Sequence, residues 1–119
     1  MYSQQLLDHF QNPRNAGELA EAECTATIEN PACGDVLQLS LKVDDGQIKE
    51  ARFKAKGCVA AIACGSALTE LVWAKTVEEA KRLNRDDVSA AVGGLPQGST
   101  HAAQLSLDAL SMALSHIQQ

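Results

Sequence analysis

The chain has 119 residues, 45% hydrophobic and 21% charged, ordinary globular usage that fits one domain spanning 1–119 and argues against a disordered or fibrous chain. A formal charge of −5 with ten scattered Lys and Arg argues against nucleic acid as a partner, because phosphate binding needs clustered cations. No run approaches the roughly 20 apolar residues of a membrane span, and the segment around Asp8, His9 and Asn12 has no signal-peptide core, so the expectation is a cytoplasmic protein with reduced cysteines.

Only 3% of residues are aromatic, so Ala, Leu, Val and Ile must fill the core, and helices are expected to pack closely through Ala. Ser3 to Gln11 reads as a short helix with Leu6, Leu7 and Phe10 on one side, ended by Asn12-Pro13 because the residue before proline is pushed out of the α region. Arg14 to Gly17 follows as a turn. Cys24 to Asn30 alternates, with Cys24, Ala26 and Ile28 on one face, the period of a half-buried strand, and Pro31 and Gly34 break it. Val36 to Val43 alternates more strictly, with Leu37, Leu39, Leu41 and Val43 inward, and Asp44-Asp45-Gly46 supplies a hairpin turn. Ala51, Phe53 and Ala55 carry the inward face of a third strand, while Ile48 is one residue out of phase, which places a bulge or turn near Lys49. Thr25, Gln38, Ser40, Arg52 and Lys54 should face water.

After Gly57-Cys58 the pattern turns helical from Val59 to Ala74, with Ala61, Cys64, Leu68, Leu71 and Val72 on one stripe. Thr76 to Glu79 is a capping box that starts a helix at Val77, running to about Asn84. A short helix over Asp87 to Val92 and a loop at Gly93-Gly94-Leu95-Pro96 precede the last helix, Thr100 to His116, whose stripe is Ala103, Leu107, Leu110, Leu114 and Ile117. Strands first and helices afterwards predict an α+β domain, a three-stranded antiparallel sheet with helices on one face.

Four residues at element boundaries could carry chemistry: Cys33, Asp35, Cys58 and His101 offer two thiolates, a carboxylate and an imidazole, donors that zinc or an iron–sulfur cluster accepts. Cys58 directly precedes a helix, where free N–H groups and the dipole should lower its pKa. Buried filler is the plain alternative, against which Gly57 speaks by allowing close approach. Cys33 lies in a turn between Pro31 and Gly34. Asp35 suits either a ligand or an Asx-type turn, and spacing alone leaves His101 a surface histidine at a helix start. Cys24 and Cys64 fall in phase with core positions, Cys64 staying a minor candidate, and His9 and His116 read as surface residues. A thiol pair of Cys33 and Cys58 that exchanges with a disulfide is a third possibility.

These pieces together resemble the IscU/NifU-type iron–sulfur cluster assembly scaffolds. The matching segments are Tyr2-Ser3, Asp8-His9-Phe10-Gln11-Asn12-Pro13-Arg14-Asn15, Asn30 to Asp35, Gly57-Cys58 with Ala61-Ile62-Ala63, Lys75 to Ala80, and Leu95-Pro96 before His101. The resemblance implies a cluster site on Cys33, Asp35, Cys58 and His101. It also implies a binding protein rather than an enzyme, which holds iron or a labile [2Fe-2S] cluster, with zinc in the cluster-free form. A cysteine desulfurase and acceptor apo-proteins are the implied partners, and the chain is expected to be a monomer or weak dimer. Two positions depart from the family pattern. Ala102 stands where the family has its third cysteine, which bears on sulfur receipt, and Ser99 stands where it has a lysine after Leu95-Pro96, which bears on docking of an Hsp70-type chaperone. A divergent zinc-binding or interaction module of the same fold is the alternative reading.

Overall fold

The structure, a computed structural model, describes residues 2–20, 22, 24–30 and 34–117. Its elements are α1 (Gln4–Gln11), β1 (Cys24–Asn30), β2 (Asp35–Asp44), β3 (Gln47–Lys56), α2 (Val59–Val72), α3 (Val77–Lys81), α4 (Arg85–Ala91) and α5 (Thr100–Ser115). The sheet is antiparallel in the order β1-β2-β3, the α+β arrangement expected.

Register follows from the alternation. Cys24, Leu41 and Ala51 form one cross-strand row, Ala26, Leu39 and Phe53 the next, and Ile28, Leu37 and Ala55 the third. All nine point to the covered face, since residues two apart share a side. The turn at Asp45 (φ 54°) and Gly46 (φ 74°) takes the left-handed geometry that a tight hairpin requires. Lys42 pairs with Glu50 but Val43 pairs with Ile48, so Lys49 is the extra residue of a bulge. That slip returns Ile48 to the buried face. On the opposite face Thr25 and Lys54 are exposed, whereas Ser40 is buried between its neighbours and accepts a hydrogen bond from Thr25 Oγ1 at 3.2 Å.

Helices α2 and α5 cover the sheet, α2 over β3 and α5 over β1 and β2, and α1 lies on the far side of α2. Alanines permit the close layering: Ala60, Ala61, Ala63, Ala67, Ala102, Ala103, Ala109 and Ala113 are all buried. At Gly65 a Cβ would lie 2.7 Å from Phe53 Cδ2, so glycine sets how closely α2 approaches β3. With layers on both sides, α2 is buried almost all round rather than along one stripe: Ser66 and Thr69 face α1 and the segment after it. Leu7, placed inward by its periodicity, is instead exposed, because α1 buries the Leu6 side.

Two helices stop short of their sequence patterns. The helix from Val77 ends at Lys81, and α2 ends at Val72 because Ala74 takes φ +69° and sends its N–H to Ile48 O at 3.0 Å. The capping box at Thr76 and Glu79 is present, and a second, on Asn84 and Asp87, starts α4 at Arg85.

Candidate metal centre

Three element boundaries meet at one point. Asp35 opens β2, Cys58 is the N-cap of α2, and His101 lies in the first turn of α5. Asp35 is 2% exposed, its carboxylate lying against the backbone of Gly57. The Cys58 N–H donates to Asp35 Oδ1 at 2.9 Å, and the Cys58 thiol donates to Asp35 Oδ2 at 3.2 Å. His101 Nε2 stands 3.5 Å from the same Oδ2, and Cys58 Sγ also accepts the Ala61 N–H at 3.4 Å. One oxygen, one sulfur and one nitrogen thus lie within 4.8 Å of one another. Donors around a tetrahedral ion, with bonds of about 2.0–2.3 Å, stand about 3.3–3.8 Å apart. The contacts of Cys58 Sγ and His101 Nε2 to Asp35 Oδ2 are already near that spacing.

Gly57 has φ +137°, and a Cβ there would sit 2.1 Å from Asp35 Oδ1. The close approach expected beside Cys58 is therefore made by a carboxylate of the chain itself. The same carboxylate corrects the expected thiol chemistry. Burial pushes the Cys58 pKa up, the Ala61 N–H pulls it down, and the hydrogen bond and negative charge of Asp35 push it up again, so the net direction is upward. A helix terminus favours thiolate, but a neighbouring carboxylate and partial desolvation outweigh it. The thiol proton is held toward Asp35 Oδ2, which accepts its hydrogen bond.

Of the other sequence candidates, Cys33 lies outside the described residues, and so does any pairing of Cys33 with Cys58. Cys24 and Cys64 are core residues, 5% and 0% exposed, and burial followed by the Cys58 charge lifts the Cys64 thiol to about 12. Ala102 is fully buried in the core between the layers. His116 is exposed at the end of α5. His9 is a correction: it is 8% exposed, with Nδ1 2.7 Å from Ser66 Oγ and Nε2 3.6 Å from Glu70 Oε1. Ser66 Oγ accepts the Arg14 N–H at 2.8 Å and shares a hydrogen bond with His9 Nδ1, so one hydroxyl ties the ring to the segment after α1. The partners lie more than fifty residues away in sequence, where no local pattern reveals them.

The description "NifU-like N terminal domain" matches residues 1–119. The chain belongs to this family. An Archaeoglobus fulgidus protein named iron-sulfur cluster assembly scaffold protein IscU 1 is 46% identical over 114 residues, covering 96% of this chain and 74% of the relative. The Haemophilus influenzae scaffold protein IscU is 41% identical over 118 residues, covering 96% and 93%. The crystal structure of a Fervidobacterium islandicum protein assigned to cluster assembly in the SUF system superposes with TM-score 0.81 at 19% identity, covering 95% and 96%, a likeness of fold. In this NifU-like chain the fold holds the three donors at the mouth of one layer boundary, where the His101 side chain is 38% exposed and gives access from solvent. No helix among the described residues is long and apolar enough to cross a membrane.

Proposed function

We propose that the chain is an iron–sulfur cluster assembly scaffold that receives iron or a labile [2Fe-2S] cluster and passes it to acceptor apo-proteins. The observation that carries this reading is the convergence of Asp35, Cys58 and His101 within 4.8 Å at a solvent-reached boundary. Relatives named as scaffolds support it. Cys58 would supply thiolate, His101 imidazole and Asp35 an oxygen, with Cys33 as the second thiolate. Replacing thiolate by oxygen weakens the hold on a soft cluster, and imidazole on one iron raises its potential, which suits cargo that must leave. In this reading the chain acts by binding, with a cysteine desulfurase as sulfur source and zinc as the ion held in the cluster-free form.

The cytoplasm fits these partners. Chaperone docking would use Leu95-Pro96 and the exposed turn at Gln97–Ser99, where Ser99 supplies no cation. The buried Ala102 favours a second reading, a zinc-binding or interaction module that assembles nothing.

Anaerobic reconstitution with iron and sulfide, followed by visible absorption, tests the proposal. Cluster bands should appear in the wild type and be lost in Cys58→Ser and in the Cys33→Ser, Cys58→Ser double variant. Stoichiometric zinc that iron and sulfide do not displace, with no bands, would select the second reading.

A further inference from the structure

The two edges of the sheet are treated differently. The outer edge of β3 is covered twice. Gly17 N–H donates to Phe53 O at 2.8 Å and Phe53 N–H to Asn15 O at 3.0 Å, while Ile48 N–H donates to Lys75 O at 2.8 Å. β1 has β2 as its one strand neighbour among the described residues. From Thr25 to Glu29 no backbone hydrogen bond leads away from β2 among those residues. Proteins guard such edges with lysine, proline, a bulge or a cover. Thr25-Ala26-Thr27-Ile28 has none of these, and Glu29 is the single charge on the strand.

The flank above this edge is equally specific. His101, Leu105 and Asp108 of α5, with Ile28 and Glu29 of β1, line a cavity of about 270 Å³. Met112 stands on the same stripe of α5, about three turns beyond His101 at 3.6 residues per turn, and is 42% exposed. The N-terminal end of α5 lies over Ile28–Asn30 and the helix packs on β1, so Met112 stands towards the Cys24 end of the strand.

We propose that a second copy of this chain covers this edge, β1 pairing antiparallel with β1 about a two-fold axis at Thr27. That register sets Thr25 against Glu29 and Ala26 against Ile28 of the other copy. No carboxylate faces a carboxylate, and the apolar sides of the two strands meet. Because each strand's Cys24 end lies beside the other's Asn30 end, each Met112 is carried over the other copy's cavity, where Ile28 and Leu105 offer apolar walls. The pair forms one six-stranded sheet and closes the cavity beside His101, an isologous interface in which both copies use the same patch.

The proposal needs no metal and is independent of the cluster reading, so the metal-free wild-type chain is the material. Sedimentation equilibrium should show a reversible dimer. Amide exchange at Thr25–Glu29 should slow as concentration rises. Thr27→Lys sets two ammonium groups across the axis, and Met112→Glu places a carboxylate beside Glu29 and Asp108. Each should weaken dimerisation on the order of tenfold or more, with the far-UV spectrum unchanged. A wild type that sediments as a monomer up to its solubility limit overturns the proposal, and so does a dimer that either substitution leaves intact.

Discussion

Gly57→Ala should damage the candidate centre more than any other single methyl group added to the chain. The new Cβ would lie 2.1 Å from Asp35 Oδ1, 2.8 Å from its Cγ and 2.9 Å from its Cα, so neither a rotamer change nor a small shift relieves the clash. The carboxylate must leave the Cys58 N–H it now accepts at 2.9 Å. An unsatisfied buried polar group costs about 1–3 kcal/mol. An L-residue forced to φ +137° adds on the order of 1–3 kcal/mol of backbone strain. Together these predict a loss of about 2–6 kcal/mol, a large share of the roughly 5–15 kcal/mol that holds a domain folded. Urea unfolding gives that number. Amide exchange at Cys58, read well below the unfolding midpoint, separates a local from a global effect, because only displacement of Asp35 exposes that one N–H selectively. Cobalt(II) titration followed by its thiolate charge-transfer band then reports whether the three donors still meet. A Gly57→Ala chain within about 0.5 kcal/mol of wild type, with a protected Cys58 amide and unchanged cobalt affinity, would refute the close-approach account.

Three further outcomes follow from the packing. Burial, then the nearby Arg14 charge, lowers the His9 pKa, against the smaller opposing pull of Glu70 and Asp8. The folded state therefore binds its proton later than the unfolded chain. His9 stabilises fully above its unfolded pKa and loses this as pH falls from near 6.5 towards the folded value, with a slope of at most about 1.4 kcal/mol per pH unit. His9→Gln should remove that part of the pH dependence of unfolding, and an unaltered profile would count against the buried arrangement. Gly65→Ala gains about 1 kcal/mol of helix propensity but drives a methyl to 2.7 Å from the Phe53 ring and 3.1 Å from Leu37 Cδ1. Overpacking of about 1–3 kcal/mol should outweigh the gain and lower the melting temperature, and a rise would mean that α2 can move off the sheet cheaply. Ala74→Gly relieves a left-handed alanine at φ +69° and should stabilise by about 0.5–1 kcal/mol in thermal unfolding, whereas a loss would show the strain to be absent.

Much of this fold was legible because its signals are local. Period-2 alternation fixed all three strands and which side each buries, and the phase error of Ile48 located the bulge at Lys49. Thr76 and Glu79 announced their capping box. Asn84 and Asp87 use the same reciprocal geometry with shorter side chains, a signal that widening the S/T-x-x-E pattern to Asn and Asp would have caught. Helix ends were less legible: α2 stops at Val72 because the backbone of Ile48 takes the Ala74 N–H, a partner from another layer.

The candidate centre divides along the same line. Boundary positions marked Asp35, Cys58 and His101 as possible donors, since turns and helix starts are where side chains from separate elements can converge. Spacing alone left His101 a surface histidine, and the family resemblance drew it into the set. The chemistry of Cys58 was misread for the converse reason. A helix N-terminus is a property of one element and favours thiolate, but the carboxylate that reverses the balance arrives from β2, twenty-three residues earlier, through the space that Gly57 leaves. His9 and Ser66 repeat the lesson, a buried polar pair whose partners no periodicity connects. A residue type at an element end thus identifies which groups can act, and the opposing layer determines their protonation. In the proposed centre a cation bound at Cys58 would have to displace the thiol proton, whose hydrogen bond Asp35 accepts at 3.2 Å. Asp35→Asn, which keeps the size and the Cys58 N–H acceptor but loses the charge, should therefore lower the thiol pKa while weakening zinc binding. Iodoacetamide alkylation rates against pH, set beside zinc titration, should move in those opposite senses, and a joint rise or joint fall would show that Asp35 does not act on the thiol in this way.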